Sequence, residues 1–150
     1  MENAQPHSES TISFEENTIY YIVNKQSNRG LYIGDEAPED RGKWVYCWNP
    51  TYSDVDKKIK LQILPGNEPN TFYLYCPDSK EYICCTEPFP IRVYGNFFNT
   101  DSTKRPVLAV KSKNDECLWL FEKDGEHYHI KSAKYGKVLY DSGDIEGLEK

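Results

Sequence analysis

Three groups of residues have the chemical types from which sites are built. Cys76, Cys84 and Cys85 form a thiol group, His127 and His129 flank Tyr128, and Asp54 and Asp56 stand two apart. A thiol cluster can hold a metal or carry redox chemistry, but zinc sites use Cys-x-x-Cys spacing, which these cysteines lack. Adjacent residues on a strand point to opposite faces, so Cys84 and Cys85 do not chelate together. Buried structural thiols are the plainer reading, because free cysteine is among the most buried residue types. The two histidines share one strand face with no third ligand, which fits exposed strand histidines better than a metal. Asp54 and Asp56 read as a solvated acidic loop. No serine sits in a nucleophile elbow and no Gly-rich loop precedes a helix. The residues therefore predict a binding module, with no enzymatic activity and no cofactor.

The elements that must position any site are strands. Trp119 and Phe121 alternate, Tyr128 and Ile130 alternate, and Asp124-Gly125 and Tyr135-Gly136 mark turns. That is strand, turn, strand, turn, strand. The unit recurs upstream. Ile130 is followed nine residues later by Leu139, as Ile22 is by Leu31 and Leu74 by Ile83. The copies are spaced by 52 residues (74 − 22) and 56 residues (130 − 74). An apolar strand precedes each, carrying Ile12 and Phe14, Leu61 and Ile63, or Trp119 and Phe121. A repeat of this length in an all-strand chain means one supersecondary unit stacked to share a core, since a lone hairpin cannot bury its own face. Val107 to Val110 is expected as an additional short strand, accounting for the longer second copy. The third copy is expected to be incomplete, with the strand of Ile12 and Phe14 closing the ring against it.

This pattern resembles the β-trefoil. The residues that carry the likeness are Trp119-x-Phe121, Tyr128-x-Ile130-x-Ser132 and Gly136-Lys137-Val138-Leu139. Tyr20 to Asn24 and Phe72-Tyr73-Leu74-Tyr75 also look like the C-terminal trefoil domain of silkworm-type haemolymph lipoproteins, whose helical domain has no counterpart here. The expected architecture is an all-β β-trefoil of three pseudo-repeats, with residues 1–10 as a flexible tail and 11–150 as one domain. Likeness to ricin-type lectins implies a sugar site in the first repeat. Those lectins hold a sugar between an aspartate after one strand, an aromatic ending the next, and an amide or acid in the following loop. Asp35, Trp48 and Asn49 occupy comparable places, with Tyr52 and Asp54 in the same loop. An aromatic face stacks on the apolar C–H face of a pyranose while carboxylate and amide fix its hydroxyls. No copy has the Gln-x-Trp motif of that family, so Trp44 and Trp48 also fit a role in the core. A glycan or glycoprotein is the expected partner. The alternative is a protein partner, such as a protease, bound through loops 37–42, 49–56 and 99–105.

Composition narrows the partners. The chain has 150 residues and a formal net charge of −6, which argues against nucleic acid or an anionic membrane as a partner. No apolar run approaches the ~18 residues of a membrane span. The first ten residues lack the apolar stretch of a signal peptide, and five cysteines are an odd number, which is unlike a disulfide framework. These features predict a cytoplasmic protein.

Overall fold

The computed structural model describes residues 12–25, 30–37, 40–48, 60–87, 91–93, 96–98 and 107–139. Among them are ten strands: β1 (Gly30–Glu36), β2 (Lys43–Trp48), β3 (Gln62–Pro65), β4 (Thr71–Cys76), β5 (Glu81–Cys85), β6 (Ile91–Val93), β7 (Asn96–Phe98), β8 (Val107–Val110), β9 (Leu118–Asp124) and β10 (His127–Ser132). One 3-10 turn, Asp115–Cys117, leads into β9. The main sheet runs β1-β2-β8-β5-β4-β9-β10, with β3 added alongside β4, and β6 and β7 form a separate two-stranded ribbon. All pairings between these strands are antiparallel. No helix among the described residues is long and apolar enough to cross a membrane.

The nine-residue spacing is a hydrogen-bond register. The Leu31 amide donates to the Ile22 carbonyl at 2.9 Å, and the Leu139 amide donates to the Ile130 carbonyl at 2.7 Å. The turns between these residues also match. The Lys80 amide donates to the Cys76 carbonyl at 2.7 Å, and the Gly136 amide to the Ser132 carbonyl at 2.8 Å. Lys80 and Gly136 hold equivalent places and both are left-handed, with φ 60° and 72°. Glycine reaches that conformation freely, whereas a residue with a Cβ pays for it with steric strain. We therefore expect Lys80→Gly to be neutral or to raise stability by up to about 1 kcal/mol, readable as an unchanged or higher melting midpoint.

The repeats meet in one core. Leu31, Ile33, Leu61, Ile63, Phe72, Leu74, Ile83, Trp119 and Phe121 are buried together, with Phe14, Tyr20, Ile22, Ile130 and Leu139 packed around them. Phe14 lies at the centre of the aromatic set, with ring centroids 5.0 Å from Phe72, 5.3 Å from Phe121, 5.4 Å from Tyr20 and 5.9 Å from Tyr128. The strand expected at Ile12 and Phe14 does not form; Phe14 instead meets the third repeat through its ring contacts, and the Ile12 amide donates to Asn70 Oδ1 at 2.7 Å. Tyr20 bridges to Leu61 as Phe72 pairs with Trp119, which is the same contact one repeat on.

A second expectation is corrected. Strand β8 is not an extra strand, because it pairs with β5 and with β2, the place a repeat's fourth strand must take. The additional structure in the second repeat is instead the β6–β7 ribbon, inserted between β5 and β8. Glu81 departs from the usual exposure of a charged residue. It shares a strand face with Ile83 and Cys85, and it is buried.

Candidate functional site

The site expected in the first repeat rests on the β1–β2 hairpin. Trp48 pairs with Gly30 at one end, and Glu36 pairs with Lys43 at the other. Asp35 lies within β1 rather than after it, in the irregular step between Ile33 and Glu36. Five residues of strand separate Gly30 from Asp35 (35 − 30), roughly 16 Å at 3.3 Å per residue. The hairpin therefore places the backbones of Asp35 and Trp48 at opposite ends and does not bring them together. Asn49, Tyr52 and Asp54 lie outside the described residues. Trp44 takes the core role weighed for it. With Tyr73, Tyr82 and Val110 it packs on the buried cluster of Ala37, Cys84, Leu108 and Cys117.

A different concavity lies at the seam of the first and third repeats. It is a groove of about 890 Å³, towards the upper end of the range typical of small-ligand sites. Its floor is apolar, made by Phe14, Ile22, Leu31, Ile130 and Leu139. Its rim carries Asn24, Lys25, Asp124, Glu126, His127 and His129. Tyr21, Val23, Tyr128 and Val138 line it and are exposed.

The repeat pattern explains why the groove is open. Tyr128 occupies the position of Phe72 in the second repeat. Phe72 is 5% exposed and Tyr128 is 39% exposed. Leu74 and Ile83 are fully buried, whereas their third-repeat counterparts Ile130 and Leu139 are only half-buried. Tyr21 corresponds to Tyr73, which is half-buried and lies against Tyr82 with Lys113 Nζ 4.7 Å from its ring centroid. Tyr21 itself is 48% exposed. Positions that the second repeat seals or half-covers are thus more open at the seam, and two of them are tyrosines.

Local structure fixes the polar rim. The β9–β10 hairpin turns through Gly125 and Glu126, with Asp124 paired to His127. Gly125 has φ 64°, and a two-residue hairpin loop needs such left-handed geometry. The tight turn holds Asp124 beside His129, whose Nε2 lies 3.1 Å from Asp124 Oδ2. Both side chains are exposed, so this pair orients the rim more than it stabilises the fold. Among the described residues, no group of three His, Cys, Asp or Glu side chains is arranged to hold a metal.

Three antiparallel repeats around a shared core match known solved structures. A Polyporus squamosus lectin, solved with the human-type influenza-binding epitope Neu5Aca2-6Galb1-4GlcNAc, aligns with a TM-score of 0.59 at 20% identity, over 85% of this chain and 40% of that one. The designed three-fold symmetric protein ThreeFoil aligns at 0.58 and 14% identity, over 81% of this chain and 76% of that one. The chain is a β-trefoil. A third match, PSL1a in its E64 complex, aligns at 0.59 and 17% identity, over 85% of this chain and 41% of that one. This chain thus spans about two fifths of the Polyporus squamosus lectin and of PSL1a. No family model matches the sequence, and no curated protein matches it. At these identities the likeness establishes the fold, and the site must be argued from side chains.

Proposed function

We propose that this β-trefoil is a carbohydrate-binding module and that a saccharide binds in the groove between the first and third repeats. The observation that carries the reading is Tyr128, an aromatic left open at a position that the second repeat buries as Phe72. Tyr21 and Tyr128 offer ring faces for the apolar side of a pyranose, and each keeps a hydroxyl for the wet side. Asp124 and Glu126 accept hydrogen bonds from sugar hydroxyls, and the Asn24 amide can both donate and accept. The rim carboxylates and the net charge of −6 disfavour an acidic sugar and favour a neutral one. A lectin solved with a bound glycan shares this fold over part of its chain, which is consistent with the reading.

A glycan array followed by calorimetric titration tests the reading. Tyr21→Ala and Tyr128→Ala should each weaken binding by tenfold or more, about 1.4 kcal/mol, while Tyr128→Phe retains most of the affinity. Tyr21 is the cleaner probe of the two, because Tyr128 also touches Phe14 and Phe121. Glycan binding untouched by both alanine variants would remove the groove from consideration and return attention to Trp48 and Asp35. Failure to bind any glycan would favour a protein partner on the exposed patch of Tyr21, Val23, Tyr128 and Val138.

A further inference from the structure

Two thiols that the binding function does not use lie together in the second buried cluster. Cys84 is on β5, and Cys117 ends the 3-10 turn that packs against that strand. They are 1% and 0% exposed and share one small cluster with Ala37 and Leu108. Both side chains pack in that one cluster, where the 3-10 turn lies against β5. Cys76, Cys84, Cys85 and Cys117 are free thiols. The pair spans the junction between the second and third repeats, 33 residues apart in sequence (117 − 84).

We propose that Cys84 and Cys117 form an oxidisable pair whose disulfide ties the second repeat to the start of the third. Cys76 and Cys85 are not alternatives to each other. Cys76 pairs with Glu81, so Cys85 is four residues further along β5 (85 − 81). That is roughly 13 Å at 3.3 Å per residue, beyond the ~7 Å between Cα atoms that a disulfide spans. Cys85 also faces the main core, while Cys84 faces the second cluster.

The two sulfurs have different roles. The Cys84 thiol's hydrogen bond, and then the backbone at Asn114, pull the Cys117 thiol below its ordinary range, although burial and the acidic Glu116 and Asp115 oppose this. The same hydrogen bond, with burial, pushes Cys84 up. These directions favour Cys117 as the attacking sulfur. With a small dialkyl disulfide such as glutathione disulfide as oxidant, the Cys117 thiolate attacks one sulfur and releases one glutathione thiolate, which takes up a proton. Cys84 then loses its proton and attacks the Cys117 sulfur of the mixed disulfide, releasing the second glutathione. Two protein thiols are oxidised to one disulfide, and one glutathione disulfide is reduced to two thiols. Burial makes the reaction slow, because the oxidant reaches Cys117 only when the cluster opens locally.

The experiment incubates the whole folded chain with glutathione disulfide, alkylates the remaining thiols and maps the peptides by mass spectrometry. The expected product joins the Cys84 and Cys117 peptides, leaving Cys76 and Cys85 alkylated. It should melt about 5–10 °C higher than the reduced protein, as a bridge closing a loop of this size does. Cys76→Ser should still form the bridge, and Cys117→Ser should not. A native protein that keeps every thiol while the urea-unfolded chain is oxidised overturns the proposal. So does a bridge between any other pair, or a bridged protein that melts no higher than the reduced one.

Discussion

Trp119→Ala should cost more stability than any other single truncation in the core. Trp119 is 1% exposed and sits in the shared core, at the position of Leu61 in the preceding repeat. Its Nε1 donates to the Ile83 carbonyl at 2.9 Å, a buried bond linking the third repeat to the second. Truncation removes the largest fully buried side chain among the described residues, which costs about 3–5 kcal/mol through lost burial and the cavity left behind. The orphaned carbonyl adds about 1–3 kcal/mol if it stays dry. At about 2–4 °C per kcal/mol for a chain of this size, the midpoint should fall by ten degrees or more. Trp119→Phe keeps much of the volume and loses the bond, so it should lie between wild type and Trp119→Ala. Urea denaturation of the three proteins reads both differences. A midpoint for Trp119→Ala close to that of wild type would mean that the third repeat does not share the core.

Much of the fold was legible because a repeated unit prints the same constraint three times. The spacing of Ile22 to Leu31, Leu74 to Ile83 and Ile130 to Leu139 is a hydrogen-bond register, and register is set by pattern and turn geometry. The turn at 77–80 was readable from Pro77 and Asp78, although Lys80 holds a conformation that Gly136 holds without strain. The role of β8 was not legible, because strand content does not reveal which partner a strand takes. Only pairing with β2 and β5 distinguishes a fourth strand from an insertion.

The site was less legible for physical reasons. Asp35 and Trp48 have a suggestive order along the chain, but antiparallel pairing sends residues far apart in a hairpin to its two ends. The groove depends on how completely three similar hairpins cover one another. Tyr20, Phe72 and Tyr128 occupy one repeat position, and only the structure shows which of them stays open. A repeat-by-repeat alignment carried one faint signal, since a hydroxyl appears at Tyr128 where the second repeat has Phe72. Cys117 was missed beside Cys84 because its contact comes from a short 3-10 turn with no strand periodicity.

Lys43→Met should be the most damaging change at a residue that is not in the apolar core. Lys43 Nζ lies 3.7 Å from Glu81 Oε2, and the Glu81 side chain is only 3% exposed against 31% for Lys43. The other Glu81 oxygen, Oε1, is buried with no hydrogen-bond partner among the described residues. The two side chains meet across β8, where Lys43 pairs with Ala109 and Ala109 pairs with Ile83. Ala109 is small enough to let a lysine on β2 reach a glutamate on β5. Gly42, just before that lysine, has φ 126°, and a Cβ there would stand 2.5 Å from the Ala109 carbonyl oxygen. The chain thus comes close to β8 immediately before Lys43. Removing the ammonium leaves a buried carboxylate without its counter-charge, which costs about 3–5 kcal/mol. The double variant Lys43→Met/Glu81→Leu removes both charges from a face that already carries Ile83 and Cys85. Replacing a buried pair by apolar groups of similar size is often neutral or stabilising, so the double variant should recover most of the loss. Chemical denaturation of the two single variants and the double variant closes the cycle. A Lys43→Met protein as stable as wild type, or a double variant no better than Lys43→Met, would show that this ion pair does not hold β2 against β5.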